Sequence, residues 1–134
     1  MIKKESSLKD EKLHQHWQNL NGVIKAKQLF LKQNLSLIDL SNKASIPVDQ
    51  VKKVLKEKLK LTFFEFISEY KISKAKQLLI NISKDQFSLS AIADQSGFNT
   101  TDSFVTIFKQ YTNMSPDKYR ITYYRNKPES NISF

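Results

Sequence analysis

A repeat constrains this chain more than any other feature of its sequence. Leu37, Leu40, Ser45, Val51, Leu55 and Phe66 recur as Leu89, Ile92, Gly97, Phe104, Phe108 and Tyr119. The offset is 52 residues up to the Ser45/Gly97 pair and 53 from Val51/Phe104 onward, so one unit occurs twice with a single residue inserted at its turn. Each unit reads as two helices joined by a turn, because its apolar positions recur at helical spacing on both sides of a break. Only two Gly and three Pro are present, too few for the tight turns of a β-rich fold, and the expected class is all-α.

A chain of 134 residues with 40% apolar content, nine Phe and five Tyr lies in the one-domain range and can form a compact core. The absence of Cys excludes disulfides, cysteine nucleophiles and thiolate metal sites, and fits a reducing cytoplasm. No apolar run approaches the ~20 residues that span a bilayer. Residues 1–8 are polar and lack the apolar stretch of a secretion signal. The expectation is a soluble, cytoplasmic protein without membrane contact.

The net charge of +9 is carried almost wholly by Lys, with only Arg120 and Arg125 besides, and it is unevenly placed. Residues 43–76 hold nine Lys against Asp49, Glu57, Glu65 and Glu69, a net of +5, whereas residues 77–117 have a net of −2. A basic band on a helical protein fits polyanion binding, driven by counterion release from a phosphate backbone, although a solvated Lys-rich surface has the same composition.

Residues 1–10 read as a polar tail and residues 11–33 as a lead-in helix, with Leu13, Trp17, Leu20, Ile24 and Phe30 near helical spacing and Gly22 as an interruption. His14 and His16 are two apart, face different sides of a helix and make a poor metal pair. No cofactor or metal is expected. The first helix-turn-helix covers 36–60. Ser36 and Asp39 have capping-box spacing, the chain turns around residues 44–46, and Pro47 is acceptable only in a first helical turn. The helix that follows buries Val51, Val54 and Leu55, which turns Asp49, Lys52, Lys53 and Lys56 outward. Three ammonium groups on the exposed ridge of a second helix suit phosphate and base-edge contact.

A linker helix is expected over 62–82, opened by the Thr62/Glu65 capping box and burying Phe66, Ile67, Tyr70, Ala75, Leu78 and Leu79. At 1.5 Å per residue it spans about 28 Å. That length suits two recognition helices about one DNA turn, roughly 34 Å, apart. Residues 81–87 read as a polar loop. The second helix-turn-helix covers 88–112: Ser88 caps it, Ile92 packs inward, Ala93 permits a close crossing, and Gly97 supplies a positive φ. Asn99 and Asp102 have capping spacing, Phe104, Ile107, Phe108 and Tyr111 form a buried stripe, and Asp102, Val105, Thr106 and Lys109 form the outward ridge. Ser115, Pro116 and Asp117 open a last helix to about 125, followed by a tail over 126–134.

These residues resemble the DNA-binding domain of the AraC/XylS family of bacterial transcription regulators. Ile92-Ala93, Gly97-Phe98, Phe104, Phe108-Lys109 and the run from Met114-Ser115-Pro116 to Tyr119-Arg120 match that family's signature, and Lys71, Ala75, Leu78 and Leu79 extend the match across about residues 34–122. The resemblance implies a homeodomain-like arrangement of about seven helices, two helix-turn-helix motifs in successive major grooves, and activation through RNA polymerase. Ser45 and Lys60 stand where the family prefers glycine, Pro47 where it often has a capping Ser, and Asn113 at another glycine position. Thr101, Asp102, Val105 and Thr106 occupy its contact positions, and none can make the bidentate Arg contact to guanine.

Two readings of the second ridge follow. In one, Val105 and the methyls of Thr101 and Thr106 meet thymine methyls, Thr100 holds a phosphate, and Asp102 accepts from cytosine or caps the helix. In the other, the second unit is a brace. A divided role is favoured, with charge from the first unit and apolar and hydroxyl contacts from the second. The leading expectation is a regulator that binds double-stranded DNA without catalysis, as a monomer or weak dimer. Its rival is an AraC-like protein-interaction module that has lost specific DNA binding and pairs through the apolar face of residues 13–30. With about 33 residues before the first unit, the chain is either a stand-alone regulator or the C-terminal part of a longer sensor, and Met1 favours a natural start.

Overall fold

The computed structural model describes residues 2–81 and 88–126, with side chains from Leu8 onward. Among them are seven α-helices and no strand: α1 Ile2–Lys27, α2 Leu37–Ala44, α3 Val48–Lys53, α4 Phe63–Asn81, α5 Leu89–Gln95, α6 Thr101–Thr112 and α7 Pro116–Asn126. A 3-10 turn, Leu29–Leu31, follows α1, and a π-helical segment, Val54–Leu59, continues α3. The chain divides into two compact units, one up to Ile67 and one from Ser68. The loop expected over 81–87 lies, apart from Asn81, outside the described residues.

In the first unit α1 packs against α2, α3 and the π segment. It buries Leu13, Leu20 and Ile24, and the 3-10 turn adds Leu29 and Phe30. Complete burial of Leu20 and Ile24 contributes about 1.5–3 kcal/mol each. Trp17 meets Phe66 edge to face at 6.2 Å, and Asn19 donates to the Ala44 carbonyl at 3.3 Å, satisfying a C-terminal carbonyl of α2. The expected polar tail is therefore helical from Ile2, and α1 runs through Gly22 unbroken. Gly22 is exposed with nothing near its missing Cβ, so it costs only its propensity penalty, about 1 kcal/mol.

The second unit holds one contiguous core of Ile72, Ala75, Leu79, Ile92, Ala93, Phe98, Phe104 and Phe108. Its rings form a chain: Phe98 to Phe104 at 5.2 Å, Phe104 to Phe108 at 5.6 Å, and Phe108 to Tyr119 at 5.4 Å. Arg120 of α7 donates to the Leu79 carbonyl at 2.7 Å and Tyr124 donates to that of Ile80. The last turn of α4 has no basic residue of its own, so Arg120 supplies the cation that favours a helix C-terminus.

The repeat extends to the backbone. In the first turn Ser45 donates to Asn42 and Ile46 to Ser41; in the second, Gly97 donates to Asp94 and Phe98 to Ala93. Ser45 (φ 56°) and Gly97 (φ 91°) share the left-handed region, as do Lys60 (φ 56°) and Asn113 (φ 60°) at the ends of the two recognition helices. Ile46 and Phe98 are both buried, and Pro47 and Thr100 are the two N-caps, so Asn99 is the inserted residue.

Candidate nucleic-acid interface

The first recognition helix, α3 with its π segment, is held by Val51, Val54 and Leu55, all buried. Asp49, Lys52, Lys53 and Lys56 are exposed, as the spacing predicts. Helix geometry changes at Val54. From there the bonding pattern lengthens to i→i+5, and the Leu55 carbonyl accepts from both Lys60 and Leu61, the latter at 2.9 Å. Lys58 and Lys60 are exposed as well. None of these five Lys has an ion-pair partner among the described residues, so their charge is free for a polyanion. The sequence reading stopped this ridge at Lys56, because hydrophobic periodicity does not reveal a π segment.

The second recognition helix is α6. Its cap is Thr100, whose side chain accepts from the Ser103 amide at 3.0 Å; Asn99 and Asp102 do not form the expected pair. Asp102, Thr106 and Lys109 are exposed and Thr101 is partly buried. Two other expectations are corrected. Tyr111 is 39% exposed and lies outside the buried stripe, which is built on Phe104 and Phe108 with Ile107 partly buried. Val105, assigned to the outward ridge, is half-buried and packs against the core. At about 100° per residue it lies only about 60° round the helix from Phe108, on the flank of the buried stripe.

An open polar cleft between the starts of α5 and α6 is lined by Ser88, Ser90, Asp94, Asn99, Thr100 and Thr101. Ser90, Asp94 and Asn99 were not among the sequence candidates. Thr100 and Thr101, which line the same cleft, were among them.

Capping is shared, but its chemistry differs between units. Ser36 and Asp39 form a reciprocal box at 3.0 and 3.1 Å, and Thr62 and Glu65 another at 3.1 and 2.9 Å. The backbone amide of each cap, followed by its hydroxyl, holds the Asp39 and Glu65 carboxyls below their ordinary values. In the second unit Ser88 accepts from Ala91 and Ser115 from Lys118, so no carboxylate completes either box. Behind the second turn, Lys71 lies over the Phe98 ring at 5.6 Å, and burial lowers its pKa.

The face proposed for pairing with another chain is already occupied. Leu13, Leu20, Ile24 and Phe30 are buried within the chain's own first unit, which removes the free surface that pairing through residues 13–30 requires.

Among the described residues, no helix is long and apolar enough to cross a membrane. Two helix-turn-helix units, one with a ridge of lysines that have no ion-pair partner among the described residues, have the form of a nucleic-acid-binding protein. Residues 40–121 match the helix-turn-helix domain family. The transcriptional activator PerA of Escherichia coli O127:H6 is 31% identical over 104 residues, covering 78% of this chain and 36% of PerA. An AraC-type DNA-binding-domain protein of Chromobacterium violaceum superposes with a TM-score of 0.68 at 21% identity, covering 84% of this chain and 96% of that one. The DNA-binding domain of AdpA, solved in complex with a target DNA, superposes with a TM-score of 0.65 at 17% identity, covering 82% and 96%. The chain belongs to the AraC-type helix-turn-helix family of DNA-binding transcription regulators. It spans between 14% and 47% of the length of the curated relatives it matches.

Proposed function

We propose that the chain binds double-stranded DNA sequence-specifically, with α3 and α6 in successive major grooves, and that the two units divide the work. Lys52, Lys53 and Lys56, with Asp49 beside them, give the first unit its phosphate affinity. Thr101, Asp102, Thr106 and Lys109 give the second unit its base preference, and Thr100 serves as the α6 cap at the edge of that surface. Val105 contributes by fixing α6 on its core more than by touching bases. The supporting observation is the contrast between equivalent positions: Lys52 and Lys53 of the first ridge correspond to Val105 and Thr106 of the second, on the same backbone frame.

Binding is the activity, with no catalytic step, in the cytoplasm, and as a monomer or weak dimer on a non-palindromic site. RNA polymerase is the second partner. The test is selection of duplexes from a random library, followed by fluorescence anisotropy of the winners over a salt series. Enriched sequences with tight, salt-steep binding are expected. A folded protein that enriches no sequence and binds weakly would contradict the reading and favour a protein-interaction module.

A further inference from the structure

We infer that Lys60 is a phosphate anchor, extending the first ridge past the end of its recognition helix; this rests on the DNA-binding reading above. Three observations converge on it. Lys60 has φ 56° and ψ 43°, a left-handed conformation that a Cβ disfavours. The equivalent position in the second unit is Asn113, a residue that tolerates this backbone better. The lysine is exposed and has no ion-pair partner among the described residues, so neither packing nor pairing there offsets the strain.

Attraction to the helix dipole does not explain the choice. Lys56 and Lys58 already place cations in the last turn with right-handed backbone. What Lys60 adds is position. Lys60 stands at the cap of the π segment, where the chain turns away, and carries an exposed ammonium group without an ion-pair partner among the described residues to the end of the recognition helix. A strained non-glycine residue at such a place fits a functional contact.

The test uses Lys60→Asn and Lys60→Gly in the full chain, since both residues accept the left-handed backbone. Urea midpoints at or above the parent's are expected, with weaker binding to a selected duplex and unchanged preference between duplexes. The slope of log affinity against log salt falls by about 0.9, so the gap to the parent narrows about 3.5-fold between about 50 and 200 mM salt. Parental slopes in both variants would overturn the inference. A lowered midpoint with a parental slope would do the same and make Lys60 a helix-end stabiliser. Lys52→Ala/Lys53→Ala is measured alongside. If that variant flattens the slope and the Lys60 variants do not, Lys60 is no anchor and the DNA-binding reading stands; a parent that binds no duplex removes both.

Discussion

At the first turn Ile46 donates to Ser41 at 3.1 Å, and at the second Phe98 donates to Ala93 at 2.9 Å. Around these matched bonds the side chains diverge. Val51 and Leu55 fill the first unit where Phe104 and Phe108 fill the second, and Lys52 and Lys53 stand where Val105 and Thr106 stand. The first unit also takes core area from α1, whereas the second closes on itself through its chain of rings. The lesson is that turn geometry and core register are fixed by a few backbone bonds, which leaves the exposed ridge free to carry charge in one copy and hydroxyls in the other.

The strongest way to break this equivalence is through the cores. Phe104→Ala removes a fully buried ring and is expected to cost about 3–5 kcal/mol, whereas Val51→Ala removes two methyls and costs about 2 kcal/mol, both read from urea denaturation followed by circular dichroism. Equal costs would mean that the two sites do not play matching roles. On DNA, Lys52→Ala/Lys53→Ala is expected to lower the salt slope by about 1.8. The Val105→Ala/Thr106→Ala pair is expected to change site preference with little change in slope; if preference stays as it was, the second unit reads nothing.

Smaller effects sharpen the contrast in capping. Ser36→Ala and Ser88→Ala each lose an N-cap worth about 1 kcal/mol. Only the first of them sits in a box with a carboxylate. Because Asp39 and Glu65 have folded-state pKa values below their ordinary ones, they stabilise the fold above the carboxylate range and lose that contribution as pH falls through the lowered values. Asp39→Asn/Glu65→Gln is therefore expected to flatten the acid limb of a stability–pH curve. An unchanged limb would mean these boxes do not contribute. Ser45→Gly, which relieves a left-handed serine, is expected to stabilise by about 1 kcal/mol, whereas Gly97→Ser destabilises.

Much of this was legible in the sequence because it follows local rules. Capping boxes at Ser36 and Thr62 are set by spacing, and the buried stripes by helical period. The left-handed sites at Ser45, Lys60 and Asn113 emerged from a resemblance that places glycine there. What escaped depends on other information. The start of α1 at Ile2 lies in a polar stretch, where apolar periodicity carries no signal. The π segment ends where the Leu55 carbonyl accepts from both Lys60 and Leu61, a backbone register change that side-chain periodicity does not report. Val105 was misplaced because helix angle alone does not say how wide the buried stripe is; Lys52, at the equivalent position, is exposed.

The division of roles is tested most directly by measuring salt-dependent anisotropy on a selected and a scrambled duplex for the parent, Lys52→Ala/Lys53→Ala and Thr106→Ala. The expected result is that the lysine variant flattens the salt slope on both duplexes while their affinity ratio holds, and that Thr106→Ala lowers the ratio while the slope holds. A lysine variant that lowers the ratio, or a Thr106 variant that leaves it untouched, would contradict the division.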